Sequence, residues 1–394
     1  MLTKTSFINI SKTTRPIILF GSGNIAFKTI SNLPSGRVDF IVDNSKNLQG
    51  TSFEGFNVRN PSSISKKYLV IICSTAITEI SKQLEEMGLE IGVDFVLSPV
   101  LNDLLAINEL EQLQKEIFFT SGSPPNGELG GGLYKCVVSG ENLSVDKIYS
   151  GPCYGLIKKD KELLFVDTDN GIFSFDGDSI QKKTSLGDST RAHGISYNSS
   201  NGKYYVNLSY SDAVLELDSN FNISKEFNIS DKIKHTNMSM HHCNDNCAID
   251  NSLYVTMFSS TGNWKKDCFD GCIAEFDIST GKRLNDIYTN LYMPHNVNFF
   301  NGSLHVLDSL PGHLRYGNLS VQGSFPGFTR GLDFNEGMYF IGQSKNRNYS
   351  RVFGVNNNIS IDCGIVVFDP IMKTSRFLQL SPKIGEIHSV LVYD

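Results

Sequence analysis

The stretch "PHNVNFFNGSLHVLDS" (residues 294–309) reads as two short alternating strands broken at Asn301-Gly302. The same form returns as "CYGLIKKDKELLFVDT" (153–168), "AHGISYNSSNGKYYVNLS" (192–209), "HHCNDNCAIDNSLYVTMF" (241–258) and "TRGLDFNEGMYFIGQS" (329–344). Each unit runs on into a third strand, such as "GIFSFDG", "AVLELDS", "CIAEFDIS" or "GIVVFDP", and usually a fourth. Four-stranded units repeating every ~35–60 residues predict a β-propeller.

A sixth unit draws on both ends of this half. "EIHSVLVYD" (386–394) supplies one strand, and "EIFFTSG", "GGLYKCVVSG" and "LSVDKIYSG" (within 116–151) supply three more. The expectation is a six-bladed propeller over residues 117–394, closed by the C-terminal strand so that neither sheet edge stays open.

Upstream the period changes. "RPIILFG", "VDFIVDN", "FNVRN", "YLVIICST" and "DFVLSP" are strand-like runs, separated by helical patterns such as "SGNIAFKTISNL" and "AITEISKQLEEMG". Apolar strands between amphipathic helices predict a parallel sheet covered on both faces. The fold class is therefore α/β plus all-β: a small Rossmann-like domain over 1–103, a connector helix over 104–116, then the propeller.

The chain's net charge of −6 argues against nucleic-acid binding and polybasic membrane contact. Its apolar runs are too short to span a bilayer. The start of the chain carries no signal-peptide pattern, so a cytoplasmic location and reduced thiols are expected for its eight cysteines. Cys243 and Cys247 lie on one strand, roughly 13 Å apart, too far to chelate one ion. The oligomeric state is not legible.

In a propeller the first strand of every blade lines the central channel. Aligning the repeats brings Tyr154, His193, His242, His295, Arg330 and His388 to equivalent positions, so half of the eight histidines converge on the axis. His193, His242, His295, His388 and Arg330 are the catalytic candidates. Neutral imidazoles of His193, His242 and His295 suit Mn²⁺, Fe²⁺ or Zn²⁺; a metal-free catalytic ring and a plain polar lining are the alternatives. His241 faces away from its neighbour, between blades or at the rim. Long loops bring Trp264, Lys265, Lys266, Lys345, Arg347, Tyr349 and Arg351 around the mouth, with Arg191 nearer the axis. Basic groups on an acidic protein point to a small anionic ligand, and Trp264 and Tyr349 to a sugar-like one, with Tyr154 a further substrate-binding candidate.

In the small domain Gly21, Gly23 and Ala26 form G-x-G-x-x-A between a strand and a helix, with Asp43 and Asn44 ending the next strand. Backbone amides there suit a phosphate and Asp43 a ribose hydroxyl, so a nucleotide or nucleotide-sugar is expected, with NAD(P) less favoured.

"MPHNVNFFNGSLHVLDS", "FPGFTRGLDFNEGMYFIGQSKNR" and "CGIVVFDP" resemble a bacterial propeller family of unknown function, over roughly residues 117–394. "GSGNIA", "FIVDNSKNLQG", "GFNVRNP" and "VIICST" resemble the Rossmann-like module that precedes bacterial sugar O-acyltransferases. The second resemblance implies nucleotide-sugar binding and a place in surface-glycan biosynthesis. Together these readings predict an enzyme of lyase, epimerase or hydrolase type acting on an anionic sugar-like substrate. The alternative is a non-catalytic propeller that binds a glycan or protein, with a nucleotide-sensing domain.

Overall fold

Four apolar residues in a row form β1 (Ile17–Phe20), the centre of a six-stranded sheet. The computed structural model describes residues 4–122, 130–187, 190–236, 238, 240–345 and 359–393. Around β1 lie β2 (Val38–Val42), β3 (Ser52–Phe53), β4 (Phe56–Arg59), β5 (Leu69–Ile72) and β6 (Phe95–Leu97), in the order β3-β4-β2-β1-β5-β6. Ile18, Phe20, Val70 and Ile72 pack on one face, and Ile17, Leu19, Leu69 and Ile71 on the other. Burial on both faces accounts for unbroken apolar strands. The sheet departs from the expected parallel pattern at one edge, where β3 runs antiparallel to β4. Glu54 and Gly55, at φ 49° and 83°, make the two-residue turn that such a hairpin requires.

The chain divides into two units, Met1–Glu109 and Leu110–Asp394. The helix expected over 104–116 occupies Asn102–Glu111, and the strand Gln114–Ser121 follows. Residues 114–116 are therefore strand: Lys115 and Ile117 alternate inward with Phe119 because this segment lies within a sheet.

The second unit holds six four-stranded antiparallel sheets. Their first strands are Cys153–Lys159, Ala192–Asn198, Cys243–Ile249, Pro294–Phe300, Phe328–Asn335 and Ser389–Val392 (blades 1 to 6). In blade 6 the C-terminal strand pairs with Gln114–Ser121, in the register Ser389↔Thr120 to Val392↔Ile117. Apolar residues of neighbouring blades share cores, as where Tyr205 and Val214 of blade 2 meet Leu253, Val255 and Phe276 of blade 3. No helix among the described residues is long and apolar enough to cross a membrane.

Candidate active site

The first strands carry the site, and a shared irregularity aims its side chains. Cys153, Ala192, Cys243, Pro294 and Thr329 pair with Asp167, Leu208, Met257, Asp308 and Gln343 of the second strands. Just beyond, each first strand holds one residue more than its partner. Such a bulge twists the strand and redirects the side chain at that point. The residues that follow these pairs are Tyr154, His193, Asn244, His295 and Arg330; in blade 4 His295 still pairs with Leu307, and the bulge begins at Asn296.

This register corrects one sequence expectation. In blade 3 the position equivalent to His193 belongs to Asn244, whose Nδ2 donates to the Pro294 carbonyl at 2.9 Å. His242 stands one step earlier, level with Arg191 and Met293, and all three have left-handed φ values of 54°, 48° and 54°. The Asp212 carboxylate holds this turn, accepting from the amides of Met240, of His241 at 3.0 Å and of His242 at 2.8 Å. His242 still reaches the channel, one layer nearer the mouth. His241 turns away, its Nδ1 donating to the Ser259 carbonyl at 2.9 Å and its Nε2 bonding Ser230 Oγ at 2.6 Å.

Arg191, His193, His242, His295, Arg330 and His388 line a cavity of about 270 Å³ together with Phe258, Trp264, Met293 and Phe328. The imidazole rings of His193 and His388 lie 5.6 Å apart, and those of His193 and His242 6.2 Å. Tyr154 wedges its ring 3.9 Å from His388 and 4.3 Å from His193. Arg330 donates to Glu386 Oε2 at 2.9 Å and to Ser344 Oγ at 3.2 Å, and its Nη1 lies 3.3 Å from His388 Nδ1. Gly122 covers this cluster: a Cβ there would lie 2.7 Å from Glu386 Oε1 and 2.9 Å from His388 Nε2. Arg191 stacks over Tyr210 at 5.1 Å and donates to its hydroxyl at 3.3 Å.

The family description matching residues 150–394 is a domain of unknown function, DUF4915. The chain belongs to this family. A second family, C2185-like, N-terminal, matches residues 13–91. No curated protein matches the chain. Solved structures of similar fold include a luciferin-regenerating enzyme, 14% identical at a TM-score of 0.42, over 60% of this chain and 78% of that one. A streptogramin B lyase is 12% identical at 0.42, over 71% and 92%. Regucalcin of Agrobacterium tumefaciens strain C58, a calcium-binding protein, is 11% identical at 0.41, over 57% and 72%. Likeness at this level concerns the fold alone.

Electrostatics of this DUF4915 channel follow from burial. Desolvation first, then nearby positive charge (Arg191 or Arg330 for His242, His295 and His388, and His388 ahead of Arg191 for His193), pushes His242 and His388 down to about 3 and His193 and His295 well below the ordinary histidine range. The four imidazoles are neutral at pH 7, while Arg191 and Arg330 stay charged. Glu386 is the carboxylate that answers Arg330. His295 has a defined tautomer. Its Nδ1 lies 3.0 Å from the Met293 carbonyl, which only accepts, so Nδ1 carries the proton and Nε2 the lone pair. Three buried nitrogens, His242 Nδ1, Trp264 Nε1 and Arg330 Nε, have no hydrogen-bond partner among the described residues.

Among the described residues no three His, Cys, Asp or Glu side chains come together as a group able to hold an ion. Arg330, against His388, and Arg191, near His193, place positive charge among the imidazoles. The cysteines are free thiols.

The remaining candidates divide. Lys265 lies over the Trp264 ring at 4.2 Å and lowers His242 electrostatically, yet does not line the cavity. Lys345 donates to the Pro382 carbonyl at 3.0 Å. Arg347, Tyr349 and Arg351 lie outside the described residues. Phe258, Met293, Phe328 and Glu386 are additions: the first three read as core in sequence, and Glu386 precedes its strand.

In the small unit Gly21 (φ 106°) sits where a Cβ would lie 2.9 Å from the Cys73 carbonyl oxygen, whereas Gly23 faces open space. Asp43 accepts from the Ser22 amide and hydroxyl at 3.0 and 2.7 Å and from the Ser45 amide at 2.8 Å. Its carboxylate therefore braces the glycine turn. Asn44 pairs with Gln83 at 2.8 Å and borders a cavity that Gly21, Gly23 and Asp43 do not line.

Proposed function

We propose that the channel mouth is the active site of an enzyme that moves a proton on a compact anionic substrate. The observation that carries this reading is the pairing of two guanidiniums with four neutral imidazoles around one cavity of about 270 Å³. A carboxylate or phosphate fits Arg330 and Arg191, one excess positive charge remaining after Glu386. Phe258, Trp264 and Phe328 offer flat apolar surface to the rest of the ligand, as the face of a sugar ring requires. The unpartnered nitrogens favour a ligand rich in acceptor oxygens.

His295 is the base. Its Nδ1–H is anchored on the Met293 carbonyl, and Nε2 takes a proton from the carbon next to the substrate carboxylate. Negative charge then builds on the carboxylate oxygens, where the guanidiniums stabilise it. The anion also raises the basicity of His295, because it offsets the Arg330 charge that depresses it. Expulsion of a leaving group gives a lyase, and return of the proton to the opposite face an epimerase. An anionic sugar such as a hexuronate, free or nucleotide-linked, is the substrate class. The link to surface-glycan biosynthesis rests on the likeness of the small domain to sugar-modifying modules.

The test is proton exchange. Hexuronic acids and their nucleotide conjugates are incubated with the protein in D₂O, and deuterium at the carbon next to the carboxylate is followed by NMR. Exchange by the wild type and none by His295→Gln supports the reading. Saturable binding with no exchange supports the non-catalytic binder instead, and neither binding nor exchange removes the proposal.

A further inference from the structure

The channel has a second mouth. The first strands all begin near the histidines, so their later residues surround the opposite end. There Ser196, Tyr197, Asp245, Asn246, Asn298 and Phe299 line a separate cavity, also of about 270 Å³.

Asp245 is the carboxylate of that lining, and it is 9% exposed. Its Oδ2 accepts the Asn296 amide at 3.0 Å, and Oδ1 accepts no hydrogen bond among the described residues. Gly194 makes room for it: a Cβ there would lie 2.6 Å from Asp245 Oδ1. The neighbouring polar groups are already engaged. Asn296 Oδ1 accepts the Gly331 amide at 2.6 Å, and its Nδ2 donates to the His388 carbonyl at 3.4 Å. Asn298 donates to the Leu332 carbonyl at 3.0 Å. Lys158, the ammonium of the lining, is drawn to the Tyr393 carbonyl at 2.6 Å. Asp245 thus keeps one carboxylate oxygen that is open to the cavity and takes no hydrogen bond among the described residues, on a side chain otherwise almost wholly buried.

We propose that this mouth is a second binding site, which takes a compact organic amine with its ammonium group on Asp245. Asp245 and Cys247 are the His, Cys, Asp or Glu residues of this lining, short of the three that would hold an ion, so the carboxylate suits an ammonium donor better than a metal. Phe299, 45% exposed, and Tyr197 supply aromatic rims for the body of the amine or for cation–π contact. The proposal does not rest on the proton-transfer reading, since the two cavities share no lining residue.

The experiment is calorimetric titration at pH 7.5 and fixed ionic strength with glucosamine, 1,4-diaminobutane and benzylamine. N-acetylglucosamine and benzyl alcohol are the neutral controls. At least one amine binds saturably and its neutral counterpart does not. Asp245→Asn weakens that binding tenfold or more, Phe299→Ala weakens it several-fold, and Arg191→Gln at the other mouth leaves it unchanged. The exposed Phe299 keeps the test open if Asp245→Asn does not fold. The proposal is overturned if no amine binds, if the controls bind equally, or if Ca²⁺ or Mg²⁺ binds where amines do not. Unchanged affinity in Phe299→Ala overturns it as well.

Discussion

Arg330 and Glu386 form an ion pair 2.9 Å long in which each side chain is only 6% exposed. Glu386 also approaches His388 Nε2 at 3.5 Å, and Arg330 reaches Ser344, so one buried network joins blade 5 to the segment entering blade 6. Breaking such a pair leaves an uncompensated buried charge. Arg330→Gln is expected to cost about 3–5 kcal/mol of folding stability. The double change Arg330→Met with Glu386→Leu recovers most of it. Denaturant unfolding of the three proteins checks this, and equal losses in the single and double variants would contradict it.

If the proposed proton transfer takes place at this site, substitutions there separate binding from chemistry. His295→Gln is expected to lower kcat by about 10²–10⁴ with little change in KM, as removal of a general base does. Arg191→Gln acts mainly on KM. On the proposed reading Arg191 and Arg330 supply the positive charge that the substrate needs, so activity and binding are expected to survive chelators. Loss of activity in EDTA with recovery on added Zn²⁺ or Mn²⁺ would reverse that conclusion.

Acid weakens the fold in a defined window. His242 and His388 titrate at about 3 in the folded chain, and His193 and His295 also lie far below the ordinary range. The unfolded chain takes up these protons near pH 6.5. The stability they contribute is complete above about pH 6.5 and is lost as pH falls through that value toward 3. Asp245 and Asp308, raised to about 6, act in the opposite sense between roughly pH 4 and 6. His241, His305 and His313 are lowered as well and Asp333 is raised, so seven imidazoles outweigh three carboxyls and net stability falls below pH 6.5. Unfolding midpoints at pH 7.5, 6.5 and 5.5 measure the slope, which His388→Gln makes shallower.

Blade 6 tests the closure of the ring. Val390 and Val392 are buried and share a core with Ile117, Phe119 and Val138. Deleting residues 385–394 strips the partner from Ile117–Thr120 and exposes that core to water, so the truncated chain is expected to aggregate or melt far below the full one. A fragment starting at Leu110 keeps every blade strand and is expected to fold. A C-terminal truncation that melts like the full chain would show that the pairing carries no weight.

The residues by themselves determined the repeat and its consequences. Alternation with period two, turn residues between strands, and the return of the pattern at blade length specify six sheets, and therefore a channel lined by first strands. His193, His295, Arg330 and His388 were legible because they recur at one place in that pattern. Register was not. His242 and Asn244 are two residues apart, and a bulge with a left-handed residue before it decides which one matches His193, a backbone choice that spacing does not encode. Phe258, Met293 and Phe328 look like any core residues until the blades converge and turn them toward a cavity. Charge state lay further still from the sequence. Whether His388 is a ligand, a base or a neutral neighbour of Arg330 depends on burial and on Glu386 beside it. Both are set by folding, because desolvation and Coulomb energy depend on distances that only the assembled blades bring about.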